Sequence, residues 1–288
     1  MIAVRHVVCL GLAALALLAF SAGALVAQQD FETTEIADGV FQFRWVGHNG
    51  FFVVTPQGVI AIDPISVEAA AQYAVEIRKA APGKGILAVG YSHDHADHAT
   101  GAAALNSKFG SNAPIIAHEN AIPKIEAAGN ADLPVPTLTF SDRMVMSPGR
   151  TVEFHYLGRN HSDNSMVVYV PDVKVAFAVD FASNDRVGFR ELPDYYFPEF
   201  FTSLSRLLEL DFETVVFGHG PTGDRAAVQR QIRYYDDLRA AVGRAIDEGL
   251  SEDQAAERIA LPEYANWSQY EAWLPLNVRA IYRWMASQ

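Results

Sequence analysis

The stretch Tyr91-Ser92-His93-Asp94-His95-Ala96-Asp97-His98 constrains this chain more than any other part of it. It sets His93, His95, Asp97 and His98, side chains able to ligate a metal ion, directly after the apolar run of residues 85–91. That run predicts a buried β-strand, so the polar residues fall where a strand ends and the chain turns. His93, His95 and Asp97 alternate, and alternate residues do not share a helix face, where neighbours stand three or four apart. In a loop that curls back on itself they converge on one point. His98 directly follows Asp97 and must point elsewhere, which suggests a second metal beside the first. The bland alternative, a polar loop of solvated histidines, fits this residue set and spacing poorly.

Later strands end in the same way. His161 lies in the loop 158–164 after the strand predicted over 151–156. Asp180 ends the strand predicted over 173–179, and His219 follows the one over 213–217. Side chains distant in sequence meet where strand ends share one rim of a sheet. Any one of these three residues is unremarkable in a loop, but their recurrence after successive strands is not. Imidazole and carboxylate suit zinc, and three protein ligands leave a position open for water. Two such ions about 4 Å apart would activate a shared water and polarise a carbonyl.

The remaining chain reads as alternating short strands and helices. Strands are predicted over 39–45, 51–55 and 58–63, with Gly47-His48-Asn49-Gly50 as the turn between the first two. Ser66 is placed to cap a helix over 67–81, which Pro82-Gly83 stops. Short helices follow over 102–109 and 121–128, a strand over 114–117, and an irregular connection over 133–136. Strands over 165–170 and 173–179 flank a tight turn at Pro171-Asp172, and a helix is expected over 198–210. Beyond Gly223 the chain is helical in character, with a capping-box signature at Ser251 and Gln254. His118 reads as structural. Asp63 is either a turn residue beside Pro64 or a support for the metal loop. The segment 193–198 reads as core or as a wall of a substrate pocket.

The chain has 288 residues, half of them apolar and 19% charged, which suits a globular enzyme with a sizeable core. Its formal charge of −12 argues against a nucleic-acid partner. Residues 1–6 carry Arg5 and no acid, residues 7–20 are almost wholly apolar, and Ser21-Ala22-Gly23-Ala24 follows. This reads as a secretory signal over 1–27, cut after Ala24 or Ala27, with an uncleaved anchor as the alternative. Cys9, the single cysteine, would leave with it. The mature chain, 28–288, would then be a periplasmic or secreted monomer with no disulfide, no thiolate ligand and no membrane contact.

His93-x-His95-x-Asp97-His98, followed by isolated His161, Asp180 and Gly218-His219-Gly220, resembles the metallo-β-lactamase superfamily of zinc hydrolases over nearly the whole mature chain. The resemblance implies an α/β fold, the αββα sandwich: two facing mixed β-sheets, helices outside, and metals at one sheet edge. It implies that His93, His95 and His161 hold one zinc, that Asp97, His98 and His219 hold a second, and that Asp180 bridges them. Asp97 would also orient the attacking hydroxide, which makes it the catalytic carboxylate.

The chain departs from each familiar subgroup. Residues 161–171 resemble the β-lactamases that place a cysteine in the second site, but Asp180 stands where that cysteine would fall. Ser183 stands where a lysine usually holds the substrate carboxylate. His98 after Asp97 matches the all-histidine-and-aspartate β-lactamases and the glyoxalase-type thioesterases, and a bridging aspartate is a feature of the latter and of lactonases. Ser183, Asn184 and Arg186 are the available anchors for a small-molecule substrate's carboxylate. Opening of a β-lactam amide ranks first, and thioester or lactone hydrolysis at the same site second. Phosphodiester cleavage fits the acidic charge poorly, and a non-catalytic zinc binder fits the complete ligand set poorly.

Overall fold

The computed structural model describes residues 31–288. The signal read over 1–27, with Cys9, lies outside the described residues. Two sheets stack face to face. The first is built from β1 (Phe31–Ala37), β2 (Val40–Trp45), β3 (His48–Val54), β4 (Val59–Ile62), β5 (Ile86–Gly90), β6 (Ile115–His118) and β7 (Leu138–Phe140), in that spatial order. Its first four strands are antiparallel and its last four run parallel, β4 being common to both. The second contains β8 (Arg143–Met146), β9 (Val152–Tyr156), β10 (Met166–Val170), β11 (Val175–Ala178), β12 (Thr214–Phe217) and β13 (Gly223–Asp224). Only β11 and β12 are parallel there.

Alternation along each strand sorts its side chains between two cores. Phe51, Ile60, Ile62, Phe154, Val168 and Phe177 face inward and fill the space between the sheets. The rings of Phe51 and Phe177 stack across that space at 5.2 Å. Phe43, Phe52, Val59 and Ala61 face the other way, against α1 (Val67–Ala80), with α2 (Ala96–Ala99), α3 (Ala102–Phe109) and α4 (Ala121–Ala128) along the same side. Behind the second sheet, Val167, Tyr169, Ala176 and Val215 pack on α5 (Glu199–Leu207), α6 (Arg225–Asp247), α7 (Glu252–Arg258) and α8 (Tyr270–Ala286). Full burial of each large side chain contributes about 1.5–3 kcal/mol, so β-strands covered on both faces account for much of the stability. The expected αββα sandwich is the observed fold. None of the described helices is long and apolar enough to cross a membrane.

Local signals explain most boundaries. Ser66 caps α1 by accepting from Ala69 N at 3.1 Å, and α7 carries the full capping box of Ser251 and Gln254. Three differences stand out. The turn between β2 and β3 comes early: Val46 takes the left-handed conformation with φ 53°, and His48, Asn49 and Gly50 belong to β3. β7 and β8 are short and only half buried, so no apolar run announces them. The long helical run after Gly223 is preceded by the two-residue β13.

Candidate metal centre

The sheet register places the polar strand ends. Ile62 pairs with Gly90, so Asp63 and the loop leaving β5 emerge side by side. Ala178 pairs with Phe217, so Asp180 and His219, each two residues further on, also emerge side by side. Met166 N donates to Ser92 O at 2.7 Å, which brings the first residue of β10, and with it the loop carrying His161, onto the same rim. Asp94 completes the tie. Its backbone N–H donates to Asn164 Oδ1 at 3.0 Å, and its carboxylate accepts from Asn164 Nδ2 at 2.7 Å.

The ligand loop changes conformation halfway. His95 is extended, with φ −70° and ψ 139°, and stands just before the single turn of α2, which holds Asp97 and His98. Alternation therefore brings His93 and His95 together, while helical geometry turns His98 inward and leaves Asp97 at the mouth.

Asp180 lies at the centre. Its Oδ2 is 3.6 Å from His93 Nε2, 3.7 Å from His161 Nε2 and 3.2 Å from His98 Nε2, and its Oδ1 is 3.3 Å from His219 Nε2. His95 Nδ1 is 3.1 Å from His161 Nε2. One group able to hold an ion is therefore His93, His95, His161 and Asp180, and another is His98, Asp180 and His219. Asp180 belongs to both. Its backbone is left-handed at φ 64°, and the Tyr195 hydroxyl donates to its carbonyl at 3.2 Å. Asp97 Oδ2 stands 3.8 Å from His98 Nε2 and 3.2 Å from His48 Nε2, forming a third group, His48, Asp97 and His219.

The imidazoles are aimed from behind. His93 Nδ1 is 2.9 Å from Ser92 Oγ, which leaves Nε2 facing the site. His219 Nδ1–H donates to Gly47 O at 2.8 Å, and this assigns the tautomer whose Nε2 lone pair faces Asp180. His98 Nδ1 lies 3.3 Å from the fully buried Asp63, whose other oxygen accepts from Ser92 N at 2.7 Å. Of the two sequence readings of Asp63, the contact with His98 supports the second, since carboxylates behind a ligating imidazole orient it and raise its basicity.

The charges follow from burial and proximity. Burial lowers the pKa of His93, His161 and His219 and favours the neutral, metal-ligating form. Burial would raise Asp180, but His98, His219 and His161 outweigh it and hold the carboxyl well below the usual range. Asp97 is likewise lowered: burial opposes ionisation, while the His48 hydrogen bond and His98 overcome it. Burial pushes His98 down, yet Asp180 and Asp63 prevail and raise it well above an ordinary imidazole. His93 Nε2, both His98 ring nitrogens and Asp180 Oδ1 are buried without a hydrogen-bond partner. Buried polar atoms rarely go unpaired, and imidazole nitrogens gathered around a carboxylate fit divalent cations. The residues present fit the metals that the fold implies.

A cavity of about 410 Å³ opens on this group. Arg186, Phe189, Pro193, Asp194 and Tyr195 are among its walls, so the segment 193–198 is divided: Phe197 packs on Phe200 and Phe201 instead. Arg186 lies over the Trp273 ring at 4.8 Å. Ser183 also lines the cavity, but its hydroxyl donates to Arg186 O and accepts from Gln231. Asn184 does not line it; its amide donates to Thr222 O and accepts from Arg230. The C-terminal helices hold this wall in place, because buried Asn277 donates to Gly188 O and Arg190 O. His118 is structural, stacked 3.9 Å from Tyr156 and bonded to Ser141 O.

Sandwich, strand-end histidines and shared aspartate together define a metal-dependent hydrolase class. The family model described as "Metallo-beta-lactamase superfamily" matches residues 43–219, and the chain belongs to that superfamily. It is similar to the alpha subunit of 2,4-dinitroanisole O-demethylase from Nocardioides sp. (strain JS1661), with 28% identity over 77% of this chain. The match spans 65% of that relative, less than two thirds of its length. A metallo-beta-lactamase type 2 from Bacillus cereus is 26% identical over 65% of this chain and 72% of its own. A metallo-beta-lactamase structure from Pontibacter korlensis shares the fold, with a TM-score of 0.59, 22% identity, and coverage of 70% of this chain and 97% of its own.

Proposed function

We propose that this chain is a dinuclear zinc hydrolase that opens the amide of β-lactam rings. The observation that carries the reading is the position of Asp180, whose carboxylate reaches both histidine groups. In this reading His93, His95 and His161 would hold one ion, Asp97, His98 and His219 would hold the other, and Asp180 would serve both. Ions bound there supply an activated water and a Lewis acid. Asp97, kept ionised beside His48 and His98, would accept a hydrogen bond from the attacking water and orient it. Arg186 offers a guanidinium to a substrate carboxylate in place of the lysine of the related β-lactamases. Phe189 and Tyr195 supply an apolar wall for the body of the substrate. Export through residues 1–27 would deliver the enzyme to the compartment where β-lactams act.

A second reading keeps the site and changes the substrate to a lactone, a thioester or an activated aryl ether. The relative named for O-demethylation of 2,4-dinitroanisole favours the last of these. Turnover by the zinc-loaded chain on penicillins, carbapenems, lactones, thioesters and 2,4-dinitroanisole separates the readings. The first predicts the highest kcat/KM on a β-lactam. A preference of tenfold or more for any other class would replace it.

A further inference from the structure

We propose that His48 is a protein ligand of the second metal position, which would then be served by His48, Asp97, His98, Asp180 and His219. This inference rests on the dinuclear reading above and adds an imidazole to it. The residues form two overlapping triplets, His98, Asp180 and His219 inside and His48, Asp97 and His219 outside. Within each, the ligand atoms lie within 4.8 Å of one another. Each set could hold an ion, and His219 belongs to both.

The chain holds His48 at that point through its backbone. Asn49 N donates to Gly218 O at 2.8 Å, and Gly47 O accepts from His219 Nδ1 at the same distance. The buried Asn49 side chain donates to Phe217 O and Gly220 O and accepts from Gln42 and Arg44. β3 is thereby stapled to the loop that carries His219. His48 and His219 face one another with ring centroids 4.6 Å apart, and His48 Nε2 lies 3.2 Å from Asp97 Oδ2. A side chain on a free hairpin would have no such fixed partners.

Exposure orders the two sets. The side chains of His48, Asp97 and His219 are 30%, 50% and 25% exposed, whereas His98 and Asp180 are 0% and 11%. An ion arriving through the cavity meets the outer triplet first, and His48 and Asp97 are its most accessible donors. His48 thus stands at the mouth of the second position, beside the His219 imidazole that both triplets share.

The competing role for His48 is a hydrogen-bond donor that merely orients Asp97. His48→Gln separates the two, because a carboxamide can still donate to Asp97 but is a far weaker ligand than imidazole. The full mature chain, stripped of metal, is titrated with cobalt(II) while visible absorption and competition with a chelator report each equivalent. Thermal melts of the metal-free proteins serve as the control for folding. In wild type we expect two equivalents. In both His48→Ala and His48→Gln the first equivalent should bind as before, while the second shows an altered spectrum and about tenfold or weaker affinity. Unchanged affinity and spectrum of the second equivalent in both variants would overturn the inference and leave the dinuclear reading standing. Recovery of wild-type behaviour in His48→Gln alone would also overturn it, assigning His48 to orientation of Asp97. A wild type that takes up a single equivalent would overturn both.

Discussion

Gly218 leaves the space that the Asp180 carboxylate occupies. A Cβ at position 218 would stand 2.7 Å from Asp180 Oδ1, 2.5 Å from Val179 Cγ1 and 3.2 Å from His98 Cε1. The glycine before His219 is required by room at the candidate metal centre. Gly218→Ala should therefore displace Asp180 and His98 and cost about 1–3 kcal/mol of stability through overpacking. Hydrolytic rate should fall by roughly tenfold or more, in line with losses on disturbing groups that orient ligands. Thermal melts and kcat of the alanine variant check this. Wild-type activity in a fully folded Gly218→Ala protein would mean that the carboxylate tolerates displacement.

Away from the metal centre, His118 gives a pH dependence whose sign is fixed by its surroundings. Its Nε2–H donates to Ser141 O at 2.7 Å, and its Nδ1 accepts from Asn120 N at 3.2 Å, an arrangement only neutral imidazole satisfies. Burial, partly offset by the bond to Ser141 O, lowers its pKa in the folded chain. The unfolded chain then binds the proton more readily, so this residue's contribution is lost as pH falls through the unfolded value of about 6.5. Between pH 7 and 5, wild type should lose stability more steeply than His118→Gln. One proton bounds the difference in slope at about 1.4 kcal/mol per pH unit. Denaturant titrations of both proteins across that range measure it, and parallel curves would remove His118 as a titrating group.

The candidate site was legible in the sequence where it repeats a rule. His93, Asp180 and His219 each follow a strand buried on both faces, His161 follows one with a single buried face, and the register of β11 with β12 turns that linear pattern into adjacency. The capping residues Ser66 and Ser251 were legible for the same reason, because a cap is satisfied within three residues of itself. Side chains whose partners lie far along the chain were not. Ser183 is engaged by Gln231, 48 residues on, and Asn184 by Thr222, 38 residues on, both within or just before α6. Their sequence neighbourhood resembles a free polar loop. Gly47-His48-Asn49-Gly50 has the composition of a turn, yet Asn49 is spent in β3 on the carbonyls of Phe217 and Gly220. β7 and β8 escaped because strands of three and four residues with exposed members carry too little periodicity.

The central claim is that Asp180 spans two metal positions. Asp180→Asn tests it most directly. Asparagine tolerates the left-handed backbone at this position and keeps the size of the side chain, while removing the charge that faces both histidine groups. Metal content of the purified proteins, counted by elemental analysis after dialysis against metal-free buffer, is the deciding measurement. The account predicts close to two zinc ions per wild-type chain and close to one in Asp180→Asn, with turnover lowered by about a hundredfold or more. Two tightly held ions in both proteins with unchanged turnover would contradict it.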